Sequence, residues 1–177
     1  MLKLLQNRRS TRKFAEQSVE AEKTERIVKA GLWAPSSKSK YPWEFVVVDN
    51  KELLLQLTDC KPHGASFLKY APMAIVILGD ENASDVWVED TSIAATLMQI
   101  QAEEEGLGSC WIQVRERQKD ENTSAEDYVK EVLNVPAHLR VLAILAVGYK
   151  KEQKPGREED HLKFNKVHRN NYQTPLK

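Results

Sequence analysis

Two adjoining stretches decide the fold. The first is Trp87-Val88-Glu89-Asp90-Thr91-Ser92-Ile93-Ala94-Ala95-Thr96-Leu97-Met98-Gln99-Ile100-Gln101-Ala102-Glu103-Glu104-Glu105, and the second is Gly106-Leu107-Gly108-Ser109-Cys110-Trp111-Ile112-Gln113. Ile93, Leu97 and Ile100 share one helical face, with Ala94, Ala95 and Met98 beside them. That coverage is wide for a soluble helix and predicts a long core helix over 87–105. Gly106 stands where a left-handed C-cap is expected, and 109–114 then reads as a strand.

Working outward, Trp43-Glu44-Phe45-Val46-Val47-Val48 is aromatic and β-branched between Pro42 and Asp49-Asn50, and predicts another strand. Met73-Ala74-Ile75-Val76-Ile77-Leu78 and Val141-Leu142-Ala143-Ile144-Leu145-Ala146-Val147-Gly148 are apolar on both faces and predict buried strands. Shorter helices are expected after Met1, after Ser18 to about Trp33 with Glu20 in the first turn, after Asp49 with Glu52 as a capping box, and after Ser124 with Asp127. The helix ending at Trp33 carries small residues at Ala30, Gly31 and Ala34 beside Ile27, a face that another backbone can approach closely. Helices and strands alternate irregularly, which predicts an α+β layered fold and not a regular βαβ series. From Lys150 onward the chain is charged and holds few large apolar residues, so it cannot form a core of its own.

The chain has 177 residues and is 41% hydrophobic, enough for one domain with a sizeable core. The formal net charge is zero, so no global field attracts nucleic acid or an anionic membrane. No apolar run approaches the roughly 20 residues of a membrane helix, and the N-terminal run is too short for a signal peptide. The expected location is the cytoplasm. Cys60 and Cys110 are far apart, with no Cys or His at metal-ligand spacing, so both are expected to be buried thiols and no metal is expected.

Four stretches offer ligand chemistry. Arg8-Arg9-Ser10-Thr11-Arg12-Lys13 concentrates guanidiniums and hydroxyls suited to a terminal phosphate; without interleaved aromatics it is a poor nucleic-acid patch. Pro35-Ser36-Ser37-Lys38-Ser39 offers hydroxyls and backbone amides after a helix end, and alone is an ordinary turn. The Gly106–Gln113 link brings backbone close to a flat ligand, but it is neither a dinucleotide fingerprint nor a P-loop. Lys154-Pro155-Gly156-Arg157 is a rigid turn with two cations. Scattered histidines, and adjacent Glu89 and Asp90 on different helix faces, give no acid–base pair. An absent catalytic pair fits an enzyme whose cofactor carries the chemistry.

In this order, the Arg8–Phe14 segment, Ala30–Ser37 with Pro42–Val48, Trp87–Ala95, Gly106–Gln113 and Val147-Gly148-Tyr149 together resemble the nitroreductase family of FMN flavoproteins. The resemblance spans nearly the whole chain. It implies a single domain over 1–177, with a mostly antiparallel central sheet wrapped by helices in an α-β-α sandwich. It also implies a homodimer with FMN sites at the interface, and a C-terminal arm, 150–177, embracing the partner. Carried over, Arg8, Arg9, Ser10 and Arg12 would hold the FMN phosphate and ribityl chain, with Lys154 and Arg157 completing the phosphate site. Pro35, Ser36, Ser37 and Ser39 would come from the other subunit. Trp111, Ile112 and Gln113 would run beside the ring, a backbone N–H directed at its N5. No side chain is expected to be catalytic.

Ser39 and Tyr41 depart from the Asn and Gln of many relatives, and His63 falls where relatives place a polar group near the flavin edge. The implied reaction takes hydride from NADH or NADPH and passes it to a small-molecule oxidant, a nitroaromatic, quinone or flavin, by a ping-pong route. Competing readings on the same fold are a reductive dehalogenase or a flavin-fragmenting enzyme; from other classes, they are a flavin-binding sensor or structural protein without turnover and a nucleic-acid-binding protein using Arg8 to Lys13.

Overall fold

The protein is described here from a computed structural model, covering residues 1–176; the arm's last residue, Lys177, lies outside the described residues. Four strands form one antiparallel sheet in the order β1-β2-β4-β3: β1 (Trp43–Val48), β2 (Met73–Asp80), β3 (Leu107–Gln113) and β4 (Leu139–Tyr149). The two strands that are apolar on both faces, β2 and β4, occupy the centre, because only there are both faces covered. Helices α2 (Ala21–Leu32) and α4 (Trp87–Glu104) cover one face, and α3 (Lys51–Leu57) and α5 (Ala125–Leu133) the other. The period of two along β2 makes this layering: Val76 and Leu78 pack with Leu54, Leu57 and Val129, while Ile75 and Ile77 pack with Ile27 and Met98. The short α1 (Leu2–Asn7) has no buried residue.

The expected α+β class, sheet and flanking helices are present. Three local readings need correction. The α3 cap is Asn50 instead of Asp49: its Oδ1 accepts from the N–H groups of Glu52 (2.9 Å) and Leu53 (3.1 Å). Glu20 precedes α2 as its N-cap and does not stand in its first turn. The buried face of α4 is the small one: Thr91, Ala94, Ala95, Met98 and Ala102 are buried, whereas Ile93 is 41% exposed and Leu97 and Ile100 are half-buried. The reason is the approach of α2. Met98 fills the space that Gly31 leaves open, where a Cβ would meet its side chain, so this face turns to α2 and the aliphatic stripe lies on a neighbouring flank.

The segment after β4 differs from everything before it. None of residues 151–176 is buried. Its first part is stitched to the N-terminal segment: the Lys151 N–H donates to Lys13 O (3.0 Å) and the Arg157 N–H to Gln6 O (2.9 Å). Beyond that, a small loop closes on itself, with the Arg169 N–H donating to Thr174 O (2.8 Å), the Leu176 N–H to Val167 O (2.8 Å), and His168 stacked on Tyr172.

Candidate functional site

Strand β3 pairs only with β4, so its other edge is open. The N-terminal segment closes one end of that edge. Ser10 bridges Ser109 in parallel, and the Thr11 N–H donates to Ser109 O at 3.0 Å. Gly108 permits this approach, because a Cβ there would meet the Thr11 side chain. In an antiparallel strand the N–H and C=O of one residue point the same way and alternate along the chain. Ser109 faces the open edge, so Trp111 and Gln113 face it too. Ile112 is 1% exposed and belongs to the core, which leaves its backbone alone near any ligand.

At the Ser109 end the cations gather. Burial pushes the Cys110 thiol up from its usual value; Arg12, a hydrogen bond with Ser10, Arg8 and Lys154 draw it back. Arg8, Ser10 and Arg12 precede Lys154 by 142 to 146 positions, yet all four act on one buried sulfur. Neither Arg8 nor Arg12 has a carboxylate partner among the described residues; Arg12 lies over the Phe67 ring at 5.8 Å. Lys154 is 4.0 Å from Glu152.

Arg9 is placed differently. Its Nη1 donates to Pro155 O at 2.8 Å, so it holds the turn that presents Lys154. It lines a cavity of about 400 Å³ together with Thr11, Arg12, Glu103, Lys150 and Lys154. Carboxylates neutralise part of that cavity: Lys150 pairs with Glu103 at 2.6 Å and Lys13 with Glu152 at 2.8 Å. The second Glu103 oxygen is buried without a hydrogen-bond partner among the described residues. Arg157 is fixed through its backbone, and its residue is exposed.

The serine loop lies elsewhere. Pro35 is exposed, the Ser37 N–H donates to Asp90 Oδ1 (2.9 Å), and Ser36 Oγ accepts from the Tyr41 N–H (2.9 Å). Lys38, Ser39 and Tyr41 have φ of 52°, 53° and 48°, three left-handed non-glycine residues in four, which stores backbone strain at the loop. Asp90 is buried and accepts also from Ser84 Oγ (3.2 Å), so it braces the loop. Asp90 and Glu103 mark the two ends of α4, about 20 Å apart along the helix. Within one chain, then, the serine loop and the basic cluster do not meet.

Lys61 is the residue that sequence patterns missed. It lies in a loop without a motif, two positions before the exposed His63, yet its Nζ donates to Gln113 O at 3.1 Å across the open β3 edge. Burial pushes its ammonium below the usual lysine value; Cys60 pulls the other way, and Arg117 adds a smaller push downward. Among the described residues no group of three or more His, Cys, Asp or Glu could hold a metal ion, and no helix is long and apolar enough to cross a membrane.

Comparison with known proteins agrees with this architecture. A model of the nitroreductase family matches residues 5–61 and 55–149. An FMN-dependent nitroreductase structure from Clostridium difficile R20291 is 49% identical with a TM-score of 0.94, covering 97% of this chain and 100% of that one. A provisionally named NADH dehydrogenase/NAD(P)H nitroreductase of Archaeoglobus fulgidus is 33% identical over 95% of this chain and 96% of its own. An iodotyrosine deiodinase of Thermotoga neapolitana is 24% identical over 86% of this chain and 89% of its own. On sequence and fold alike, the chain belongs to the nitroreductase family.

Proposed function

We propose that the chain is a single FMN-binding domain that acts, as a homodimer, as an NAD(P)H-dependent flavin enzyme reducing nitroaromatics, quinones or flavins. The carrying observation is the pair of guanidiniums, Arg8 and Arg12, left without carboxylates beside Ser10 and Lys154 at one end of an open strand edge. A phosphate monoester supplies the charge that this cluster lacks, and guanidinium–phosphate bonds are among the strongest charge-assisted contacts. The outward N–H groups of Trp111 and Gln113 on β3 would be available to donate to a flat ring held beside that edge. FMN, when bound, supplies the hydride-accepting ring.

The protein's own part is positioning. Ser10, Arg8, Arg12 and Lys154 anchor the phosphate, Arg9 holds the Lys154 turn, and the Trp111 to Gln113 backbone donates to the ring. Arg157 takes its place at the outer rim. Pro35, Ser36, Ser37 and Ser39 complete the site from a second copy, which the separation along α4 requires and for which the exposed Ile93 and the uncovered arm offer surface. No acid–base pair is assigned, since the buried Asp90 is engaged in bracing the serine loop. NADH or NADPH and then the oxidant use one cavity in turn, which gives ping-pong kinetics.

Arg8→Ala tests the phosphate assignment. It should weaken FMN binding by about 2–3 kcal/mol, roughly 30- to 150-fold, while riboflavin, which lacks the phosphate, is affected little. Isothermal titration with both flavins measures the difference, and equal losses would overturn the assignment.

A further inference from the structure

The stretch from Arg8 to Lys13 has two faces. Backbone contacts recur at every second residue: the Thr11 N–H donates to Ser109 O (3.0 Å), Lys13 O accepts from the Lys151 N–H (3.0 Å), and the Ala15 N–H donates to Tyr149 O (2.9 Å). Extended backbone sends alternate side chains to opposite sides. Arg8, Ser10 and Arg12 accordingly act on Cys110. Arg9, Thr11 and Lys13 line the cavity of about 400 Å³ beside the Lys154 turn, and Arg8 and Ser10 do not. Arg12 and Lys154 belong to both groups and stand between them.

This cavity is unbalanced in two ways. Among the described residues its lining holds five Arg and Lys side chains against two carboxylates, Glu103 and Glu152. Lys150 pairs with Glu103 and Lys13 with Glu152, so Arg9 and Arg12 are left without a carboxylate among those residues. At the same wall, the Glu103 side chain is only 8% exposed; Lys150 holds one of its oxygens, and the other has no hydrogen-bond partner among the described residues. A buried carboxylate oxygen without a donor is costly. A bare anion would satisfy the guanidiniums and leave that oxygen as it is. A ribose phosphate satisfies both, with phosphate oxygens for the cations and a sugar hydroxyl for the carboxylate.

We propose that this cavity is a second phosphate site, which takes a nucleotide's ribose phosphate while the phosphate of FMN occupies the Cys110 side. That it is a second site rests on the FMN reading above; its chemistry stands on the cavity alone. Glu103 accepts from the sugar, and Arg9, Arg12 and Lys13 hold the phosphate. A free nucleotide and the adenylate half of NADH or NADPH share this chemistry.

Isothermal titration of the FMN-loaded protein with AMP and with inorganic phosphate tests the site. AMP should bind without releasing FMN and about tenfold more tightly than phosphate, the margin of one hydroxyl bonded to a carboxylate. Glu103→Ala should erase that margin, with phosphate bound at least as well because Lys150 loses its partner. Lys13 is exposed (66%), so Lys13→Gln does not threaten the fold; it should weaken AMP and phosphate alike by about threefold. Competitive inhibition by AMP against NADH or NADPH identifies the nicotinamide cofactor as the source of the adenylate, and AMP bound without inhibition identifies a free nucleotide. AMP that displaces FMN would merge the two faces into one site and overturn the proposal. So would AMP binding no tighter than phosphate, or binding that neither substitution alters. A protein that binds no FMN overturns the FMN reading instead, and AMP titration of that protein still decides the cavity.

Discussion

Residues 1–149 and residues 150–176 obey different rules. The first region places Ile75, Ile77, Ala143, Ile144 and Leu145 at 0% exposure between two helical layers. The second buries nothing between Lys151 and Leu176, although it holds Leu162, Val167 and Tyr172. Ordering a backbone residue costs roughly 1–2 kcal/mol, and apolar burial is the main compensation. The body has that compensation within one chain. The arm has stitches to Gln6, Arg9 and Lys13 near its start, then contacts within itself. The difference teaches where the proposed second copy would pack: on the arm and the exposed flank of α4, and not on the core.

Removing the arm is the strongest way to break the comparison. Truncation after Lys150 also removes Lys154 and the Arg9 contact to Pro155. The expected outcome is loss of FMN binding and of the dimer in sedimentation velocity, with the sheet signal in circular dichroism retained. A truncated chain that still sediments as an FMN-loaded dimer would show that the arm is dispensable.

Matched leucine truncations sharpen the contrast at the next level. Leu57 is fully buried on α3, so Leu57→Ala should cost about 2–5 kcal/mol in urea unfolding, whatever the protein concentration. Leu162 in the arm is 53% exposed. Leu162→Ala should leave the unfolding of the body unchanged and weaken dimerisation by about tenfold, or 1.4 kcal/mol, provided the arm packs on a partner. The same stability loss at both positions would erase the distinction between the regions.

The smallest effect belongs to the body alone. Burial pushes the Cys60 thiol up to about 11. The folded protein therefore keeps a proton that the unfolded chain has released, so this group's stabilising contribution is present below about pH 9 and is lost between about pH 9 and 11. The alkaline limb of the stability curve should be shallower in Cys60→Ala than in the parent. A limb of identical slope would show that Cys60 does not drive it.

Much of this was legible in the sequence because periodicity records burial. The double-faced apolar runs at 73–78 and 141–148 became the two central strands, and Ser124 caps α5 by accepting from the Asp127 N–H. The face of α4 was misread for a physical reason. Hydrophobicity ranks Ile93, Leu97 and Ile100 above alanine, but the face turned to α2 is the one whose Met98 fits into the space over Gly31. Asn50 took the α3 cap from Asp49 because the side-chain oxygen must reach two N–H groups, a matter of φ and ψ that spacing leaves open.

By itself the sequence determined the layers, the central strands, the motif order of the nitroreductase family and the residue types able to hold a phosphate. Local pattern and composition suffice for these, since each depends on a few neighbouring residues. Only the tertiary structure decided that Arg8, Arg12 and Lys154 converge on Cys110, and that Arg9 turns instead to Pro155. It alone placed Lys61 over the free edge of β3 and set the serine loop and the basic cluster at opposite ends of α4. These are contacts between residues far apart in the chain, where the deciding quantity is a distance across strands and helices that no one-dimensional pattern contains.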